Sequence, residues 1–395
     1  MKYILILTQE VNNKSVEMLA KSLREKSYDD YTILIFDVKC TQIAGDYVLH
    51  KPGSNNFSVQ SIFIADIALV IKRTWGPIRT IALQLCQQLE KNNVLILNGC
   101  QFIQWSHSKI LQYHTLPALF PHTVCFDKQF LLQIKNDPLD RAIEKIIDKI
   151  NILQFPMIFK TDEGCRGDGV YLVGSKQDLR NLLQKFMFEL QSNSQSKFRN
   201  GFLLQEWVKT HANLDISNYF RINIINGKAQ SSVQFQLKWE KSDVNNYKKL
   251  ADFKNAEDKP IDLAVFDSLQ LKRVVSACPC QDGVIGADVL YDNENKMHLL
   301  EYNDGPAVSA IVDLAQRNNP EINNSAIQQC FNFPDEIAKL CFLLIERGLT
   351  QQKTQTNSAI NHQNFSNRFW GKPNEKLMSR PTNITHPSTK ILSKI

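Results

Sequence analysis

A small doubly wound parallel α/β domain followed by a larger α+β region is the architecture this 395-residue sequence predicts. Three features carry that expectation. Four strongly apolar runs in the first hundred residues are separated by amphipathic stretches, the grammar of strands buried on both faces. Beyond residue 140 the apolar runs come in pairs joined by tight turns, which is antiparallel grammar. A 43% hydrophobic content at this length suffices for two or three domain-sized cores.

The first domain, residues 1–100, is read from YILIL (3–7), a helix near 15–26, TILIFDV (32–38), IADIALVI (64–71), a helix near 78–91 and VLILN (94–98). It has no G-x-G-x-x-G, so it lacks the turn that would make it a dinucleotide-binding fold. The opening apolar run meets Gln9 and Glu10, too early for a signal-peptide core. No run anywhere approaches the eighteen apolar residues that a membrane span needs, so membrane insertion is not expected and a cytoplasmic setting is.

In the second region, 101–348, a helix over DRAIEKIIDKINIL leads to strand MIFKT, a glycine-bearing loop, strand VYLVGS, a helix near 176–190 and strand FLLQEWV. YFRINII and KAQSSVQFQLKW then flank Asn226-Gly227, a two-residue hairpin signal because both residues tolerate positive φ. VIGADVLY and KMHLLEYN flank the polar turn DNEN, and a last helix, PDEIAKLCFLLIERG, is expected to close at Gly348.

Nine scattered cysteines are read as free thiols. Cys278 and Cys280 lack zinc-ligand spacing and a matching pair, and read as small residues at a helix end. Of the net charge of +6, all lies in residues 351–395, with seven bases against Glu375, leaving 39 bases and 39 acids in residues 1–350. This neutral folded part and basic tail speak against nucleic-acid binding. The tail, 349–395, is rich in Gln, Asn, Ser and Thr, a composition expected to be disordered.

Three constellations carry chemistry. Lys160 ends strand FPMIFK and is followed by Gly164, Arg166, Gly167 and Gly169, which fits either a phosphate clamp or an ordinary glycine turn. The strand end Gln205-Glu206-Trp207-Val208, with Asp215 beyond, could read an adenine edge and hold ribose hydroxyls, or simply be a strand end. Glu301 and Asn303 share a strand face by the period of two, and Asp288 lies across the hairpin where it can point the same way. Three such oxygen donors suit magnesium, although a solvated strand face would look similar. Arg221 in YFRINII could clamp a carboxylate or an acyl phosphate.

Taken in order, PMIFKTDEGCRGDGVYLV, LLQEWV and GADVLYDNENKMHLLEYNDGP resemble the ATP-grasp superfamily, and most closely its ribosomal-protein S6 glutamate ligase and glutathione synthetase-like branch, over about residues 95–345. The resemblance implies an ATP-grasp fold with a lid subdomain at about 115–204. It implies that Lys109 and Lys160 touch nucleotide phosphates, that Gly167 lies in the phosphate-covering loop, and that Glu206, Trp207 and Val208 form the adenine hinge. Asp215 would contact the ribose, Asp288, Glu301 and Asn303 would hold Mg2+ or Mn2+, and Arg221 would stand by the acyl phosphate. The segment IKRTWGPIRT looks like the part of the preceding α/β domain that helps bind the acceptor. The implied activity is an ATP-dependent carboxylate–amine ligase acting through an acyl phosphate on small-molecule or peptide substrates. A kinase acting on a hydroxyl substrate and a nucleotide-binding regulatory module are the alternatives. One departure stands out: Tyr219 occupies the place two residues before the arginine where the ligases carry an acid. The loop KSDVNNYKKLADFKNAEDK also reads differently from theirs, and its lysines carry no assignment.

Overall fold

The computed structural model describes residues 2–27, 30–52, 59–74, 76, 78–164, 167–192, 198–210, 216–242, 245–250, 257–305 and 325–357. The chain divides into a unit Met1–Gly348 and a unit Leu349–Ile395, and everything below concerns the first unless stated. Asp215, Arg166 and the tail beyond residue 357 lie outside the described residues.

The N-terminal apolar runs form β1 (Lys2–Thr8), β2 (Tyr31–Asp37), β6 (Ile67–Arg73) and β7 (Leu95–Ile96), a parallel sheet of order β2-β1-β6-β7. Its faces are covered as the apolar runs require. Ile4 and Ile6 pack with Val16, Leu19 and Leu23 of α1 (Lys14–Lys26), while Leu5 and Leu7 pack with Ala82, Leu85 and Leu89 of α2 (Ile78–Lys91). Between β2 and β6 no element is expected from the sequence. There β3 (Thr41–Ala44), β4 (Tyr47–His50) and β5 (Gln60–Phe63) form a small antiparallel sheet.

Two short helices, α3 (Cys100–Ser106) and α4 (Lys109–Thr115), lead into a ten-stranded sheet. Its strands are β8 (Thr123–Asp127), β9 (Met157–Thr161), β10 (Val170–Val173), β11 (Gly201–Glu206), β12 (Ile216–Ile225), β13 (Lys228–Ser242), β14 (Asn245–Leu250), β15 (Glu257–Ile261), β16 (Val284–Tyr291) and β17 (Met297–Asn303). The order is β17-β16-β12-β13-β14-β10-β9-β11-β8, with β15 also on β13, and every pairing is antiparallel. Asn226 and Gly227 adopt φ of 51° and 66° in the β12–β13 turn, as the Asn-Gly signal requires.

Helices α5 (Lys128–Ile134), α6 (Leu139–Lys149) and α7 (Lys176–Ser192) cover the β8–β11 end, with Ile143, Ile146, Leu179, Leu183 and Phe186 packed on Phe126, Phe159 and Phe202. At the other end, α8 (Ser268–Ala277) packs Val274 and Val275 against Ile222, Ala287 and Tyr302. Cys278 directly follows α8, the helix-end position expected for it. The eight described cysteines are all free. After α9 (Ser325–Phe331) comes α10 (Phe333–Asn357), which corrects the expected close at Gly348: the helix runs on to Asn357. No described helix is long and apolar enough to cross a membrane.

Candidate active site

The register of the large sheet places Arg221 of β12 opposite Asp288 of β16, and Asp288 opposite Glu301 of β17, so the three stand in one row across adjacent strands. Arg221 donates from Nε to Asp288 Oδ1 at 2.6 Å and from Nη2 to Oδ2 at 2.7 Å, a bidentate pair that fixes the guanidinium plane. Gly286 makes room for it, since a Cβ there would stand 3.3 Å from Arg221 Cδ. Asn303 Nδ2 donates to Asp288 Oδ2 at 3.2 Å and to Glu301 Oε1 at 3.4 Å, so all three oxygen-bearing side chains form one cluster.

Two lysines reach this cluster from other elements. Lys109 lies at the start of α4, where Ser108 caps the helix by accepting from Leu111 N–H and donates its own hydroxyl to Asp162. Its Nζ sits 3.1 Å from Glu301 Oε2 and donates to the Gly164 carbonyl at 2.7 Å. Lys160 projects from β9, flanked by β10 and β11, and donates to Gln205 Oε1 at 2.7 Å, while Gln205 Nε2 donates to Thr123 Oγ1 at 2.9 Å.

The electrostatics follow from this crowding. Burial lowers the Lys160 ammonium to about 8, with Lys109 adding to the effect and Glu301 and Asp288 opposing it. Burial works against charge on Glu301, but Lys109, Lys160 and Arg221 outweigh it and hold its carboxyl below the usual range. Burial pushes the Asp288 carboxyl up against the pull of Arg221. The bidentate pair keeps Arg221 charged, overriding its own burial.

The fully buried Gln112 couples α4 to β17: its Oε1 accepts from Tyr302 N–H at 2.6 Å, and its Nε2 donates to the carbonyls of Tyr302 and Ser106 at 3.1 and 2.9 Å. Lys109 and Glu301 flank this joint. Gln112→Ala leaves buried backbone groups unpaired and is expected to cost about 2 to 3 kcal/mol of unfolding free energy, read in a urea titration.

A cavity of about 530 Å³ opens over these residues. Lys109, Lys160, Gly167, Glu206, Trp207, Val208, Arg221, Asp288, Glu301 and Asn303 all line it, while Gly169 of the glycine loop does not. One end is apolar, walled by Ile158, Val170, Trp207, Trp239 and Leu250, with the two indoles 5.9 Å apart and both Nε1 groups buried without a hydrogen-bond partner among the described residues. Such a slot suits a flat heteroaromatic ring. Trp239 and Leu250 escaped the sequence analysis because only the β13–β14 pairing, Trp239 opposite Leu250, brings them to Trp207. The alternation of KAQSSVQFQLKW was the available signal. Tyr219, which replaces the expected acid, is buried and stacks on Phe235 at 5.3 Å.

The other end of the cavity is lined by Lys72, Arg73, Arg79, His107 and Asp304. Lys72 Nζ is 2.6 Å from Asp304 Oδ2. Burial disfavours charge on Asp304, but Lys72 and the neighbouring His107 hold it well below the usual carboxylate range. Lys72, Arg73 and Arg79 fall in IKRTWGPIRT and Asp304 in LLEYNDGP, while His107 lies two residues before Lys109; no role for Asp304 or His107 could be read from the sequence.

Residues 128–318 match the RimK-like ATP-grasp domain. Among solved structures the chain is similar to D-cycloserine synthetase DcsG, with TM-score 0.54, 11% identity and coverage of 87% of this chain and 99% of the other. It is also similar to D-alanine–D-alanine ligase from Bacillus anthracis, with TM-score 0.53, 13% identity and coverage of 88% and 99%. A third is the ATP-grasp ligase PsnB complexed with a minimal precursor, with TM-score 0.51, 13% identity and coverage of 86% and 100%. No curated protein matches. The chain has the ATP-grasp fold, preceded by a parallel-sheet domain. The similarity to the RimK-like ATP-grasp domain, over residues 128–318, falls within that fold.

Proposed function

We propose that this chain is an ATP-dependent carboxylate–amine ligase working through an acyl phosphate. The observation that carries the proposal is the convergence of Lys109, Lys160, Arg221, Asp288, Glu301 and Asn303 on one cavity with an apolar slot at its end. Similarity to proteins named as a D-alanine–D-alanine ligase and an ATP-grasp ligase supports it. Under this reading the adenine enters the Trp207–Trp239 slot against Glu206 and Val208, and Lys160 and Lys109 meet the phosphates, with Gly167 of the glycine loop close by.

The fold family implies magnesium, and the donor set fits it. Among the described residues no three Asp, Glu, His or Cys side chains gather as a metal centre, but two carboxylates and an amide oxygen are hard donors. Magnesium commonly takes its remaining ligands from phosphates and water. Asp288, Glu301 and Asn303 would hold it, and it would supply charge neutralisation at the transferring phosphoryl group. In the reaction, a substrate carboxylate oxygen bonds to the γ-phosphorus as the bond to ADP breaks. An amine then attacks the acyl carbon, and phosphate leaves as the amine gives up a proton. Under this reading Arg221, held in plane by Asp288, would donate to the acyl oxygen.

The test is ADP and phosphate release as pools of amino acids and short peptides are added, with Lys160→Met as control. Release that needs an added carboxylate and vanishes in the control is expected; nucleotide binding with no stimulated turnover contradicts the proposal. A second reading, phosphoryl transfer to a hydroxyl substrate, is favoured by one observation, the basic wall of Lys72, Arg73 and Arg79.

The lowered Lys160 pKa has a signed consequence. Phosphate oxygens bind the charged ammonium, so nucleotide binding takes up a proton wherever Lys160 is neutral. ADP affinity therefore falls as pH rises through about 8, by up to about tenfold per pH unit. Calorimetry on either side of that value checks this, and Lys160→Arg, charged throughout, should flatten the profile.

A further inference from the structure

We propose that Asp162, which takes no part in the reaction derived above, is a positioning residue for nucleotide binding: it pins the first turn of α4 to the root of the glycine loop and thereby holds the Lys109 ammonium in place for the phosphates. That Lys109 meets phosphates rests on the ATP-dependent reading above; the pinning itself does not.

Asp162 directly follows β9, two residues beyond Lys160, and its own N–H donates to the Gly201 carbonyl at the start of β11 at 3.1 Å. It is 5% exposed and does not line the cavity, so it can act on a ligand only through another residue. From this fixed base it reaches a helix 52 residues earlier in the chain, where its Oδ1 accepts from Ile110 N–H at 2.9 Å. The Ser108 hydroxyl stands 2.8 Å from Oδ1 and 3.0 Å from Oδ2, and Lys109 N–H donates to the Asp162 carbonyl at 3.4 Å. Packing seals the same joint. Gly201 has a φ of 122°, and a Cβ there would stand 2.8 Å from Ile110 Cδ1 and 2.5 Å from the Phe126 carbonyl, so glycine lets the first turn of α4 settle against the sheet.

Ser108, Lys109 and Ile110 are therefore each bonded to Asp162, and the Lys109 side chain leaves from a backbone that is held on both sides. Its Nζ then meets the Gly164 carbonyl at 2.7 Å, Glu301 Oε2 at 3.1 Å and the Asp162 carbonyl at 3.5 Å. Two of these three acceptors belong to the segment that Asp162 anchors. A lysine carries its charge on a long flexible stem, so a fixed origin and convergent acceptors are what pre-organise it for a ligand.

Capping of α4 does not by itself account for the carboxylate. Ser108 already caps the helix, its hydroxyl accepting from Leu111 N–H at 3.1 Å and its carbonyl from Gln112 N–H at 3.1 Å. Burial pushes the Asp162 carboxyl up, against the bonds from Ile110 and Ser108 and the pull of Lys109. A covered carboxylate is a costly way to seat a helix that Ile110 and Gly201 already seat by contact. What it adds is direction, through bonds to the residues on either side of Lys109.

The test is calorimetric titration with ADP–Mg2+ of the wild-type chain, Asp162→Ala, Lys109→Met and the double variant. Lys109→Met is expected to weaken ADP binding about tenfold to a hundredfold, the scale of one hydrogen bond to a charged group. Asp162→Ala is expected to weaken it about tenfold, with no further loss when added to Lys109→Met, because the group it positions is then gone. Asp162→Asn keeps an acceptor for Ile110 N–H and should recover most of the affinity, leaving a loss of about threefold. Should Asp162→Ala not fold, Asp162→Asn carries the same cycle. The proposal is overturned if Asp162→Ala binds ADP as tightly as the wild type. It is equally overturned if Asp162→Ala loses as much in the Lys109→Met background as alone, the mark of a helix anchor that merely softens the fold. A wild-type chain that binds no ADP overturns it together with the ATP-dependent reading, whereas failure of this proposal alone leaves wild-type ADP binding intact.

Discussion

Glu301→Ala is expected to lower substrate-stimulated ADP formation by roughly a hundredfold to a thousandfold, the scale of losing one preorganised charge-stabilising group in a closed site. Glu301 is the shared point of the site: 3.1 Å from Lys109, hydrogen-bonded to Asn303, and facing Lys160. Its removal takes away a proposed metal ligand and the counter-charge of two covered lysines together. The unliganded protein should therefore also lose on the order of 1 to 3 kcal/mol in urea unfolding. Glu301→Gln keeps the shape and removes only the charge, so it should reproduce the activity loss. Activity within tenfold of wild type in both variants would remove Glu301 from the mechanism.

Asp288→Ala should have the largest effect on stability. Asp288 is 4% exposed and holds Arg221 through two hydrogen bonds, so truncation leaves a guanidinium inside the sheet without its partner. Breaking one half of a buried pair costs about 3 to 5 kcal/mol, well above what an exposed ion pair contributes. If the pair acts as a unit, Arg221→Ala added to Asp288→Ala recovers part of that loss, because the double variant has no stranded charge. Urea unfolding of the two single variants and the double variant reads the coupling directly; strictly additive losses would show that the two side chains act independently.

The site was legible in the sequence where chemistry sits on regular strands. Glu301 and Asn303 could be placed on one face because a strand alternates sides, whereas the hairpin register alone would set Asp288 opposite Leu300, and a shift between Asp288 and Val289, which the sequence does not signal, brings it opposite Glu301. Arg221 joined them only through the β12–β16 pairing, which joins residues 67 apart in the chain. The same long reach hid the Trp239–Trp207 slot and the convergence of Lys72, His107 and Asp304.

Elements were missed where composition argued against them. NNYKKL and EDKPI, the strands β14 and β15, carry little apolar alternation and form by pairing with the long β13. Strands β3 to β5 are four residues each, too short for a periodic signal. Gly348 reads as a helix stop, yet α10 passes through it, and a Cβ there would meet nothing within 4 Å, so neither a turn nor close packing accounts for the glycine.

The central claim, that ATP activates a carboxylate here, is tested most directly by trapping. Incubation of the protein with ATP, Mg2+, a pool of candidate carboxylates and hydroxylamine should yield ADP and the hydroxamate of one acid, with none formed by Lys160→Met. Formation of ADP together with a stable phosphate ester and no hydroxamate would contradict the account and establish phosphoryl transfer to a hydroxyl instead.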